Sequence, residues 1–93
     1  MVTIEWSEIA LDDLREIHEY ISKDSKLYAD RYVNKLFNRV DQLESHPRSG
    51  RVVPEYNNEF IRELIEGNYR IVYKIMQNTV SVLRVHHAAR LLK

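Results

Sequence analysis

The run from Phe60 to Arg90, FIRELIEGNYRIVYKIMQNTVSVLRVHHAAR, constrains the fold more than any other part of the chain. It divides into three stretches rich in β-branched and aromatic residues, about Phe60–Ile65, Tyr69–Met76 and Val80–His86. Glu66-Gly67-Asn68 and Gln77-Asn78-Thr79 separate them, and connections that short join neighbouring strands as hairpins. The run therefore predicts a three-stranded meander. Its polar positions are largely cationic, at Arg62, Arg70 and Arg84, with His86, His87 and Arg90 at the end. Guanidinium forks match phosphates and carboxylates, so one surface of the sheet is expected to meet an anionic partner.

The residues before the meander alternate between strand and helix periods. Val2 to Trp6 reads as a short first strand. Ser7 is the expected N-cap of a helix whose apolar stripe is Ala10, Leu14, Ile17 and Ile21, ending near Ser22. After the polar connection Lys23-Asp24-Ser25-Lys26, Ala29, Val33, Leu36, Val40 and Leu43 form a second stripe. So short a turn between two helices predicts an antiparallel hairpin. Ser45 to Gly50 holds proline, glycine and small polar residues, a stop signal. Arg51 to Pro54 is a possible short strand that proline confines to an edge or a strand end. Strand, two helices and meander in that order predict an α+β fold. Its N-terminal strand precedes an antiparallel two-helix hairpin packed on one face of a small antiparallel sheet. The other face is expected to be at least partly open.

Ninety-three residues suit one domain, taken as residues 1–93. The chain has no cysteine, which excludes disulfides and cysteine-held zinc or iron–sulfur sites. Two glycines, Gly50 and Gly67, do not build a dinucleotide or P-loop cradle. No serine stands in a nucleophile-elbow context. No cofactor or metal is expected, since alternation points His86 and His87 to opposite faces of the strand. The first residues lack the basic and apolar regions of a signal peptide, and no apolar run has the length of a membrane span. The expected location is the cytoplasm.

Net charge is zero but unevenly spread. Residues 1–30 carry eight acids against three bases, and residues 60–93 carry two acids against six bases. An acidic front and a basic back make an oriented molecule whose sheet favours anions. Alternation puts Tyr69, Ile71, Tyr73 and Ile75 on the helix-packed face of the middle strand, with Arg70, Val72, Lys74 and Met76 on the open one. In the last strand Val80, Val82, Arg84 and His86 share one face, and Ser81, Leu83, Val85 and His87 the other. Arg62, Arg70, Lys74, Arg84, His87 and Arg90 are the candidate binding residues.

Pro47-Arg48-Ser49-Gly50-Arg51, IREL at Ile61–Leu64, GNYRIVY at Gly67–Tyr73, and the Val85, His87, Arg90 spacing together resemble the RelE/ParE toxin superfamily of bacterial type II toxin–antitoxin modules. The resemblance spans almost the whole chain. It implies a toxin that inhibits growth, of the kind associated with plasmid stabilisation. It also implies a cognate antitoxin partner, and contact with operator DNA only through that antitoxin.

RelE-type members cut mRNA in the ribosomal A site, which requires cations to hold the phosphate together with acid–base groups. ParE-type members poison DNA gyrase. Arg70 and Arg90 match the two arginines of RelE-type enzymes. The lysine pair on their preceding strand is replaced here by Ile61-Arg62-Glu63, and the chain ends at Lys93 without their C-terminal tyrosine. The neutral net charge and long helical hairpin also resemble the ParE branch, which makes gyrase the expected target. A ribosome-dependent mRNA endoribonuclease is the alternative, with Arg70, Arg90, His86 and His87 as its candidate catalytic groups.

Overall fold

Two serines start the helical hairpin. The computed structural model describes residues 1–88. Strand β1 spans Thr3–Trp6. Ser7 then caps helix α1, Glu8–Ser22: its Oγ accepts the Ala10 N–H at 3.0 Å and donates to the Leu83 carbonyl at 3.0 Å. Ser25 does the same for α2, Lys26–Asp41, by accepting the Tyr28 N–H at 3.1 Å. Each cap satisfies an amide that the first helical turn leaves unpaired. Helix α2 stops at Asp41, and Leu43 lies in a short 3₁₀ turn, Gln42–Glu44, where it remains fully buried.

Strands β2 (Arg51–Val52), β3 (Ile61–Glu66), β4 (Tyr69–Ile75) and β5 (Thr79–His87) complete a five-stranded sheet in the order β1-β5-β4-β3-β2. The meander forms as expected, and β2 takes one edge. The sheet is mixed, however, because β1 pairs parallel to β5. A meander leaves the outer edge of β5 unpaired, and the first strand fills it. Side-chain alternation marks a strand but carries no information about its direction.

Past Trp6, β1 no longer covers that edge and α1 takes over. Buried Asp13 accepts the Val85 N–H at 2.9 Å through Oδ2. A carboxylate on a helix thus replaces the missing neighbouring strand.

Ala10, Leu14 and Ile17 of α1 and Leu36 and Val40 of α2 pack on Leu64, Ile71, Tyr73, Val80, Val82 and Val85. Val82 and Val85 were expected on opposite faces, yet both belong to this core. The reason is a β-bulge: Tyr73 pairs with Val82 and Val72 with Arg84, leaving Leu83 as the extra residue. One extra residue reverses the alternation beyond it.

The face away from the helices is covered in part. Residues 53–60 fold across it, anchored by fully buried Val53, which packs with Val72, Ile61 and Leu83. Within this strap the Val53 carbonyl accepts N–H groups from Tyr56 (3.1 Å) and Asn57 (3.0 Å), and Asn57 has a φ of 48°. The expectation of a partly open second face therefore holds: the strap covers Arg70 and Val72, while Lys74 and Met76 stay exposed.

Candidate functional site

Arg70 stands on the predicted face of β4, between Ile65 of β3 and His86 of β5. It does not project into solvent, being 6% exposed. Its Nε donates to Glu63 Oε1 at 2.6 Å, while Nη1 and Nη2 donate to the two Glu55 oxygens at 2.8 and 2.9 Å. Glu63, 1% exposed, accepts a further bond from Arg51 Nε at 2.5 Å. The four residues form an electrically balanced cluster under the strap. Hydrogen bonds donated to Glu55 and Glu63 raise the guanidinium pKa further above its ordinary value, against the opposing effect of burial. Arg70, expected as a free phosphate fork, is instead clamped by two carboxylates.

The other arginines are similarly engaged. Arg84 holds Asp13 through Nε (2.9 Å) and Nη2 (3.1 Å), joining β5 to α1, and this pairing raises its pKa. Arg62 donates to three backbone carbonyls, those of Glu59 (2.9 Å), Gly50 (2.9 Å) and Arg48 (3.3 Å). It therefore fastens the chain on either side of β2. Both were expected to reach outward; a nearby acid and a set of bare carbonyls draw them inward. Lys74 alone of the described sheet cations named from sequence is exposed with no acidic partner among the described residues. Buried His86 lies across from Arg70, while exposed His87 sets its ring edge-on to Tyr69 at 5.6 Å. Arg90 lies outside the described residues.

Among the described residues, the hydrogen bonds and ion pairs of Arg62, Arg70 and Arg84 run to separate partners. A different feature stands open at the tip of the helical hairpin. Tyr20, Ile21, Tyr28, Tyr32, Tyr69 and His87 line much of a groove of about 760 Å³ between the helices and the β3–β4 turn. Tyr20 and Tyr28 are 69% and 57% exposed. Tyr32 and Tyr69 stack obliquely at 5.7 Å, and burial raises both their phenol pKa values. The Tyr32 hydroxyl donates to the Glu66 carbonyl at 3.0 Å, beside Gly67, whose φ is +58°. A Cβ on Gly67 would lie 2.5 Å from the Tyr32 oxygen, so a glycine is needed at the groove wall. Helical periodicity alone does not join Tyr20 and Tyr32 to Tyr69. The signal was the grouping of tyrosines near the helix turn and the following β-turn, and only the tertiary fold brings these together.

Known proteins share this fold and part of this sequence. The chain is 33% identical over 91 residues to the Toxin RelE2 of Caulobacter vibrioides, an alignment covering 98% of this chain and all of that one. Its fold matches a toxin–antitoxin structure described as the chromosomal ParDE system of P. aeruginosa. There the TM-score is 0.78 at 20% identity, covering 94% of this chain and 96% of that one. The RelBE2 toxin–antitoxin complex of Mycobacterium tuberculosis matches with a TM-score of 0.61 at 22% identity, over 92% and 96% of the two chains. A family model, the ParE toxin of the type II toxin–antitoxin system parDE, matches residues 4–92. This chain belongs to that ParE toxin family, within the RelE/ParE superfamily of type II toxin–antitoxin toxins.

Proposed function

We propose that this toxin arrests growth by binding DNA gyrase in the cytoplasm, without cleaving RNA, and that its antitoxin neutralises it by occupying the tyrosine groove. The observation that carries the choice of target is the clamping of Arg70 by Glu55 and Glu63. In-line cleavage of RNA requires cations placed to stabilise charge on the reacting phosphate. A guanidinium whose fork already holds two carboxylates does not offer that stabilisation. Glu63 also stands on β3 beside Arg62, where the RNase-type toxins carry lysines, and a buried, paired carboxylate supplies no cation to a phosphate. The neutral net charge fits a protein target better than the phosphate-dense ribosome.

The groove suits an antitoxin segment for a separate reason. Exposed tyrosines beside Ile17, Ile21 and Val85 supply the kind of aromatic contacts that dominate binding energy at protein interfaces, and Asp13, Glu16 and Lys35 line the same groove. Operator DNA is then reached through the antitoxin.

Two assays run together test the target. Purified toxin is expected to inhibit gyrase supercoiling or trap gyrase-cleaved DNA. Primer extension on translated mRNA is expected to show no toxin-dependent cuts. Codon-phased cuts with intact supercoiling would establish the ribosome-dependent reading, which the name of the Caulobacter relative favours.

A further inference from the structure

Most cations around the meander have acceptors in the fold. Arg51 and Arg70 meet Glu63 and Glu55, Arg84 meets Asp13, and Arg62 meets backbone carbonyls. Among the described residues, the charged groups of Arg48 and Lys74 have no carboxylate partner, and both residues are exposed. They flank one cleft of about 550 Å³, whose lining includes Asn58, Phe60, Ile75 and Met76 and contains no acidic residue. Phe60 and Met76 each leave 44% of their surface exposed. The Arg48 guanidinium lies 5.6 Å from the centre of the Phe60 ring, which holds the cation at the edge of the apolar surface. The cleft stands at the end of β4 opposite the tyrosine groove, which Tyr69 lines.

We propose that this cleft is a second docking site, which takes an acidic segment of a partner polypeptide. An apolar side chain of the segment packs between Phe60 and Met76, and flanking carboxylates pair with Arg48 and Lys74. The chemistry favours polypeptide over nucleic acid. Nucleic acid is held by rows of cations matching successive phosphates, whereas this cleft offers two cations around an apolar floor. A flexible methionine beside an aromatic ring adapts to varied apolar side chains. The site is independent of which target the toxin arrests.

The test is fluorescence anisotropy on the full chain with a labelled peptide of alternating glutamate and leucine, and amide chemical shifts to map where it binds. A glutamate–serine peptide and a single-stranded oligonucleotide are the comparison probes. The glutamate–leucine peptide is expected to bind with shifts centred on Phe60, Lys74 and Met76, and to weaken as salt is raised. R48E and K74E are each expected to weaken it at least about fivefold. M76S, which changes no charge, should weaken the glutamate–leucine peptide but not the glutamate–serine one. Amide spectra of the variants confirm that these exposed positions leave the fold intact. The proposal is overturned by no binding, by shifts centred elsewhere, or by affinity indifferent to both charge reversals. Equal binding of the glutamate–serine peptide or the oligonucleotide overturns it as well.

Discussion

Glu63 lies wholly inside the protein, and its Oε1 is 2.6 Å from Nε of Arg70, itself 6% exposed. Together they convert a position expected to offer positive charge into a neutral, internally paired one. Removing one member of such a pair is more damaging than removing both, because the survivor is left charged and desolvated. R70M is expected to cost about 3–5 kcal/mol of stability, whereas R70M with E63L should recover most of it. Urea unfolding of the two variants measures the difference. Equal stability of R70M and the parent would show that the cluster does not hold the strap down. Any loss of toxicity in R70M must therefore be separated from loss of fold.

Tyr73 provides a second test of buried polar pairing. Its hydroxyl donates to the Pro47 carbonyl at 2.7 Å and accepts the Gly50 N–H at 3.0 Å, fixing the chain before β2. Y73F leaves both partners unsatisfied and is expected to cost about 1–3 kcal/mol. Burial raises the pKa of this phenol. A group whose folded pKa lies above its unfolded value contributes stability in full below about pH 10, the ordinary tyrosine value. That contribution is lost as pH rises from there through the folded value. The alkaline fall in stability should accordingly be shallower in Y73F, with Tyr32 and Tyr69 retaining the remainder. An unchanged slope above pH 10 would count against the burial of this hydroxyl.

Gly50 is required for space. A Cβ there would lie 2.6 Å from both the Glu63 carbonyl oxygen and the Tyr73 hydroxyl. Backbone on one side and a phenol held by two hydrogen bonds on the other leave little freedom to yield. G50A is expected to lower stability by about 1–3 kcal/mol, the range for overpacking a tight interior. Thermal unfolding reads this directly, and a variant melting with the parent would place the clash outside the native geometry.

These sites show where sequence reading reaches and where it stops. The helix cap at Ser7, both apolar stripes and the meander are local features, and each was legible, whereas Ser25 read only as part of a polar connection. The parallel direction of β1 was not, because side-chain period is the same for either direction. The bulge at Leu83 was hidden because Val82, Leu83 and Val85 are all apolar and any phase looks acceptable. The arginines misled for a related reason. A guanidinium that seeks a phosphate and one that seeks a neighbouring carboxylate look alike in one dimension, and Glu55 reaches Arg70 across fifteen positions of chain. Lys74, with no acid opposite it in register, kept its expected exposure.

Tyr28 distinguishes the groove's role from that of the rest of the surface. It is 57% exposed at the start of α2, with its ring 6.1 Å from that of Tyr32, so substitution there removes little from the core. Under the proposed antitoxin seat, Y28E places a charge among the aromatic contacts that the partner needs. Loss of a central aromatic anchor costs about 2 kcal/mol or more of binding, roughly thirtyfold in affinity. Cells expressing this variant with the antitoxin should then stop growing, while cells expressing the parent pair continue. Growth arrest by Y28E alone should match the parent toxin, which separates loss of neutralisation from gain of activity. Calorimetric titration of the purified pair provides the affinity. Full rescue by the antitoxin at unchanged affinity would move its seat away from the groove.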